Sequence, residues 1–171
     1  MPQTTTAINT VDAVVEVSTN GTTWTNISGS TNKVEVSAQT ADSGMAASLE
    51  GQYKIVRGGK YNPVDITVTI FFTETAGEAY EILHNQKNVA GRPLYFRYTP
   101  GGYDGNYRWY TGDSNGYKSP GRITEFPYPS AASEEAGPQL VVFKLQATQL
   151  VREDNRPSPS ASVSPSASAS S

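Results

Sequence analysis

Residues 33–72 read KVEVSAQTADSGMAASLEGQYKIVRGGKYNPVDITVTIFF. Two runs within this stretch alternate apolar and polar side chains. Val34, Val36 and Ala38 oppose Lys33, Glu35 and Ser37, and Val64, Ile66, Val68 and Ile70 oppose Asp65, Thr67 and Thr69. A period of two belongs to a strand that buries one face and leaves the other in water. Between the runs lies an excursion over residues 39–62, punctuated by Gly44, Gly51, Gly58 and Gly59. It is far longer than a hairpin turn needs, and structureless loops of this length are rare in compact domains. Its middle holds Tyr53, Ile55 and Val56, so it reads as an extended, hairpin-like arm. Its apolar residues have no evident place in a core that the other strands already fill. Left alone they would make a sticky edge, which monomers avoid. Met45, Leu49, Tyr53, Ile55 and Val56 are therefore the candidates for contact with a neighbouring subunit.

Upstream of this stretch, residues 11–17 alternate and lead into Asn20-Gly21, a strong hairpin signal. Residues 22–27 read as the return strand, with Trp24 as a core anchor. Downstream, Thr75 and Glu78 have the spacing of a capping box. Ala76, Ala79, Tyr80 and Leu83 follow as an apolar stripe, predicting a helix over about residues 76–89 that Gly91 and Pro93 stop. So short a helix needs a sheet to dock on. Further strands are expected over 94–99, 108–111, 122–126 and 140–150; the last places Lys144, Gln146 and Thr148 on its polar face. The fold class is thus mainly β: a β-sandwich or small barrel with one flanking α-helix and a long extended arm.

Domain organisation follows from composition. Residues 1–10 are a polar N-terminal arm, 11–154 the β domain, and 155–171 a Ser/Ala/Pro-rich tail that cannot bury enough apolar area to order itself. The opening MPQTTTAINTVDAVV has no basic n-region or apolar h-region and does not read as a signal peptide. No segment is long and apolar enough for a membrane-spanning helix, so no membrane insertion is expected. Charged residues make up 17% of the chain and the net charge is −3, without the basic footprint of a protein that grips nucleic acid. With no cysteine, disulfides, thiolate zinc sites and cysteine nucleophiles are excluded.

The remaining motifs favour structure over chemistry. Tyr95, Phe96, Tyr98, Tyr103, Tyr107, Trp109, Tyr110 and Tyr117 interleave with Arg97 and Arg108, a composition suited to a half-buried sheet, a protein interface or sugar stacking. Asp104-Gly105-Asn106 and Asp113-Ser114-Asn115-Gly116 lack the ligand spacing of a calcium loop and read as turns. His84 is the one histidine and has no nucleophile at motif spacing; Glu134-Glu135 reads as a solvated pair. The sequons Asn20-Gly21-Thr22 and Asn26-Ile27-Ser28 mean little without a secretory signal. No set of residues would carry catalysis, and no cofactor or metal is expected.

The order strand, hairpin, strand, long arm, strand, helix, strands resembles the major tail tube proteins of long-tailed (siphovirus-type) bacteriophages. The resemblance covers about residues 11–152 and rests on VEVSTNGTTWTNISGSTNKVEVS, the arm, AGEAYEILHNQ and LVVFKLQATQL. It implies a structural virion protein, not an enzyme. Subunits would form stacked hexameric rings around a channel for DNA and tape-measure protein, with tail-terminator and distal tail proteins at the ends. The location implied is the virion tail, assembled in the host cytoplasm. The arm would reach an adjacent subunit or ring. Lys33, Glu35, Ser37, Asp65, Thr67, Thr69, Lys144, Gln146 and Thr148 become candidates for the lumen. The Ser/Ala/Pro tail departs from the pattern. A carbohydrate- or surface-binding β-sandwich, with the Tyr/Trp cluster as its platform, is the alternative.

Overall fold

The computed structural model describes residues 12–47, 54–103, 105–129 and 137–154. Among the described residues eleven strands and one α-helix follow in chain order: β1 Val14–Ser18, β2 Thr25–Asn26, β3 Thr31–Val36, β4 Ala41–Ala47, β5 Lys54–Tyr61, β6 Val64–Phe71, α1 Ala79–Lys87, β7 Pro93–Thr99, β8 Tyr107–Gly112, β9 Gly121–Glu125, β10 Leu140–Ala147 and β11 Gln149–Asp154, with a 3-10 turn over Ser28–Ser30.

All described pairings are antiparallel, and β7 joins two halves of one sheet. Its later residues pair with β1 and β8, while Pro93 and Leu94 pair with Arg122 and Gly121 of β9. The path runs β11-β8-β7-β9-β10-β6-β3, with β1 and β2 branching from β7. The sheet folds over on itself, and both halves feed one core. Val15 and Val17 come from β1, Ile66, Val68 and Ile70 from β6, Leu94 and Phe96 from β7, and Phe143 and Leu145 from β10. The fold is mainly β, with a single described α-helix against the sheet.

The period-two reading holds best in β6 and β10, where inward residues are buried and alternate with half-buried or exposed ones along each strand. Each fully buried Val, Ile, Leu or Phe contributes roughly 1.5–3 kcal/mol relative to exposure. The helix docks through Ala79, Tyr80, Leu83 and Gln86, with Tyr80 edge-on to Phe72 at a centroid distance of 4.7 Å.

Four expectations need correction. The capping box is not made: Glu78 is itself the N-cap, in extended conformation and without a side-chain cap bond, so the helix starts three residues later than expected. Gly77, at φ +85°, breaks the chain just before it and leaves Ala76 exposed outside the helix. Asn20-Gly21 is not a two-residue hairpin turn. The loop is longer, because the pairing resumes only at Thr25 opposite Val17, and Asn20 Oδ1 instead accepts the N–H groups of Thr22 and Thr23 at 2.9 Å each. Trp24 is half-buried and lies outside the main core. The last strand is two strands, broken at Thr148, after which β11 crosses to pair with β8.

Candidate functional site

The strands β3, β6, β10 and β9 lie side by side and share one water-facing surface. Three cross-strand rows define it. Lys33 opposes Thr69, which opposes Val142. Glu35 opposes Thr67, Thr67 opposes Lys144, and Lys144 opposes Glu125. Asp65 opposes Gln146, which opposes Arg122. Ser37 closes the third row beyond the end of β3, donating its N–H to the Asp65 carbonyl and accepting the Asp65 N–H on Oγ, both at 2.9 Å. Eight of the nine polar candidates from the sequence, Lys33, Glu35, Ser37, Asp65, Thr67, Thr69, Lys144 and Gln146, therefore come together on one face. Thr148 does not join a row. It sits at the break between β10 and β11, where its carbonyl accepts the Gln39 side-chain amide at 3.3 Å.

Both lysines on this face are paired within the sheet, whereas Arg122 makes no ion pair among the described residues. Lys33 Nζ lies 2.9 Å from Glu35, and Lys144 Nζ lies 2.6 Å from Glu125. Gln146 donates to Asp65 Oδ1 at 2.9 Å. The hydrogen bond and charge of Glu125 raise the Lys144 ammonium above its ordinary value, with Asp65 adding to the effect. Sequence reasoning missed Arg122 and Glu125. Plain alternation from inward Ile123 would have found Arg122, but a bulge hides Glu125: Leu145 opposes Ile123, yet Lys144 opposes Glu125, so one residue of β9 is extra. Strict alternation from inward Ile123 would have turned Glu125 inward; the extra residue returns it to the wet face.

The strip is open along β3 and, among the described residues, along the far part of β9, whose Ile123 N–H still donates to the Arg92 carbonyl. β3 ends the sheet order, and β9 pairs with β7 only at its first two residues. Among the described residues, the outer edge of β3 borders a groove of about 410 Å³ lined by Ala13, Val15, Ser28, Tyr98 and Pro100 together with β3 itself.

The excursion forms a separate two-stranded sheet, β4 paired with β5. Met45 opposes Val56 and Ala46 opposes Ile55 in its register, whereas Leu49 and Tyr53 lie outside the described residues. Asn62 clasps its base. The Asn62 N–H donates to the Thr40 carbonyl at 2.7 Å, and its side-chain amide reaches Thr40 Oγ1 and Asp42 Oδ1 at 3.2 Å each. A register shift falls beside this clasp, between Ala41 and Ser43. A Cβ on Gly59 would stand 2.5 Å from the Asp42 carbonyl oxygen, so glycine is required there.

The aromatic cluster does not form one platform. Phe96 and Tyr110 are buried. Arg97 lies 4.1 Å from the ring centre of Trp24, Lys118 4.1 Å from that of Tyr110, and Arg152 4.5 Å from that of Tyr107. These cations occupy ring faces that a sugar would need. Tyr103 and Tyr117 are exposed but lie on different loops. His84 packs beside Tyr80 and Phe126 on the helix. Among the described residues no three potential metal ligands cluster, and no helix is long and apolar enough to cross a membrane. The Glu134-Glu135 pair and Asp104 lie outside the described residues.

No protein-family model and no curated protein matches the chain. Solved structures do. A chain of the sheath-tube complex of PVC, an extracellular contractile injection system, in its extended state, is similar with a TM-score of 0.66 at 14% identity, covering 88% of this chain and 93% of that one. A chain from the tail of an empty GTA particle, refined helically with C6 symmetry, gives 0.59 at 15%, covering 86% and 98%. The SPP1 tail tube gives 0.62 at 12%, covering 86% and 80%. At these identities the likeness establishes a shared fold.

Proposed function

We propose that the chain is a tail tube subunit whose copies join head to tail into hexameric rings that stack around a channel for DNA. One observation carries the reading: a four-stranded strip with a mostly polar outer face, open along β3 and along the far part of β9, stands beside a hairpin detached from the core. A lone sandwich gains nothing from open edges, which invite aggregation. In a head-to-tail ring, the β3 edge of one copy meets the β9 edge of the next, and closure leaves no free edge. The polar face then lines the lumen, with Lys33, Glu35, Ser37, Asp65, Thr67, Thr69, Lys144 and Gln146 in water and Thr148 at its margin. The hairpin of β4 and β5 reaches the adjacent subunit or ring. The similarity to a tail tube and to a C6-symmetric tail supports the assembly and the six-fold count.

The role is structural rather than catalytic, located in a phage-like tail assembled in the host cytoplasm. Tape-measure protein and DNA occupy the lumen, and terminator and distal tail proteins cap the ends. Negative-stain microscopy of concentrated protein tests the reading. Tubes with six-fold end views are expected; monodisperse monomers at every concentration would sink it.

A further inference from the structure

We propose that the wet face of the β3-β6-β10-β9 strip avoids holding phosphate by pairing its two lysines within the sheet, not by excess negative charge, with Glu35 and Glu125 as the residues that do it. The inference rests on the tube reading and specifies how the lumen would treat DNA.

The face holds Lys33, Arg122 and Lys144 against Glu35, Asp65 and Glu125. Its formal charge is therefore balanced, and the chain's net −3 resides elsewhere. A balanced face would still bind a polyanion if its lysines could swing free, because each cation that neutralises a phosphate releases a counterion. Here both lysines are held: Lys33 by Glu35 at 2.9 Å and Lys144 by Glu125 at 2.6 Å. To a phosphate moving past, each pair presents a dipole instead of a point charge, and its field is screened within about 10 Å at moderate salt. Pairs this exposed, with side chains 47–60% accessible, add little stability, so folding alone does not explain their placement. The bulge in β9 points the same way, since it turns Glu125 outward to meet Lys144. Asp65 is occupied by the Gln146 amide, and Arg122, opposite Gln146, is left as the one cation of the face without an ion pair among the described residues, at the strip's margin on β9.

The test compares full-length unassembled subunits binding a short fluorescent duplex DNA by anisotropy across a salt series. Wild type is expected to bind weakly. Glu35→Gln with Glu125→Gln frees both lysines and is expected to bind more tightly, the slope of log affinity against log salt steepening by about 0.9 for each phosphate newly contacted. Glu74→Gln with Glu81→Gln makes the same change in net charge away from the strip and is expected to stay near wild type. Adding Lys33→Gln and Lys144→Gln to the first variant should return it to wild-type binding. Wild type binding as tightly as the freed variant overturns the inference, and so does an equal gain in the Glu74/Glu81 control. Failure to form tubes in the microscope sinks the tube reading instead; tubes that form while the wild-type subunit grips DNA sink only this inference.

Discussion

Glu16 and Arg97 face each other across β1 and β7 in a two-point ion pair, with Nη2 2.8 Å from Oε1 and Nε bonded to Oε2. Both side chains are only about 15% accessible, and Trp24 and Tyr110 flank the guanidinium. Desolvation would pull the Arg97 pKa down, but the hydrogen bond and charge of Glu16, together with Tyr110, outweigh it and raise it. Glu16→Ala strands this cation and is expected to cost about 3 kcal/mol, the lower end for breaking a buried pair. Glu16→Leu combined with Arg97→Met should recover most of the loss. Urea unfolding of the three proteins measures both; a Glu16→Ala protein as stable as wild type would show that the pair contributes nothing.

Glu153 links acidity to the edge formed by β11. The Tyr110 hydroxyl donates to it and holds its carboxyl below the usual carboxylate range; partial burial opposes this, and Lys118 at 3.0 Å adds to the lowering. A carboxyl lowered on folding stabilises the protein above its unfolded pKa. The contribution disappears as pH falls through the lower folded value. Because the Glu153 and Lys118 side chains are 47% and 46% accessible, the increment is expected to stay under about 1 kcal/mol. Comparing wild type with Glu153→Gln by urea unfolding at neutral pH and at about pH 3 should show the difference between them shrinking in acid. A constant difference would remove Glu153 from the acid response.

The hairpin of β4 and β5 offers a way to separate folding from assembly. Gly59 has no room for a side chain against the Asp42 carbonyl, and it lies at the base that Asn62 clasps. Gly59→Val is expected to distort that base while leaving the core on β6, β7 and β10 intact. The melting temperature should move by a few degrees at most, of the order that a loss of about 1 kcal/mol produces in a domain this size. Tube formation should be lost in the same sample. Normal tubes from this variant would argue against the hairpin as the stacking element.

What could be read from the residues follows from where their pattern is local. The strands β6 and β10 were legible because nothing interrupts their period of two, so the faces of Asp65, Thr67, Lys144 and Gln146 followed directly. The arm was legible as a separate element because its glycines and apolar residues fit no other strand. Glu125 was not, since a bulge shifts its facing by one residue and leaves no composition signal. The break at Thr148 has no glycine or proline to mark it; it arises because β11 finds its partner in β8, a tertiary choice. The helix was placed but its start was misjudged, because Thr75 and Glu78 have capping-box spacing while Gly77 turns the chain between them. Trp24 looked like core by residue type, yet its ring serves Arg97, a cation from a distant strand.

The outer edge of β3 gives the most direct test of ring closure. Ser37 donates its N–H inward to Asp65, so by antiparallel alternation the N–H groups of Val34 and Val36 point away from β6. Proline is tolerated on an edge strand where the missing donor faces outward. Val34→Pro is therefore expected to keep the β3-β6 ladder and yield a folded subunit, at the cost of part of the packing of Val34 on the core. The same change removes a donor from the edge offered to the next copy and puts a ring in its path. Folded protein by thermal melt with no rings or tubes in micrographs is the expected result. Lys33→Gln serves as the comparison, since it alters the same strand on its wet face and leaves the edge donors in place. Tubes from Val34→Pro at wild-type yield would place the ring contact on another edge.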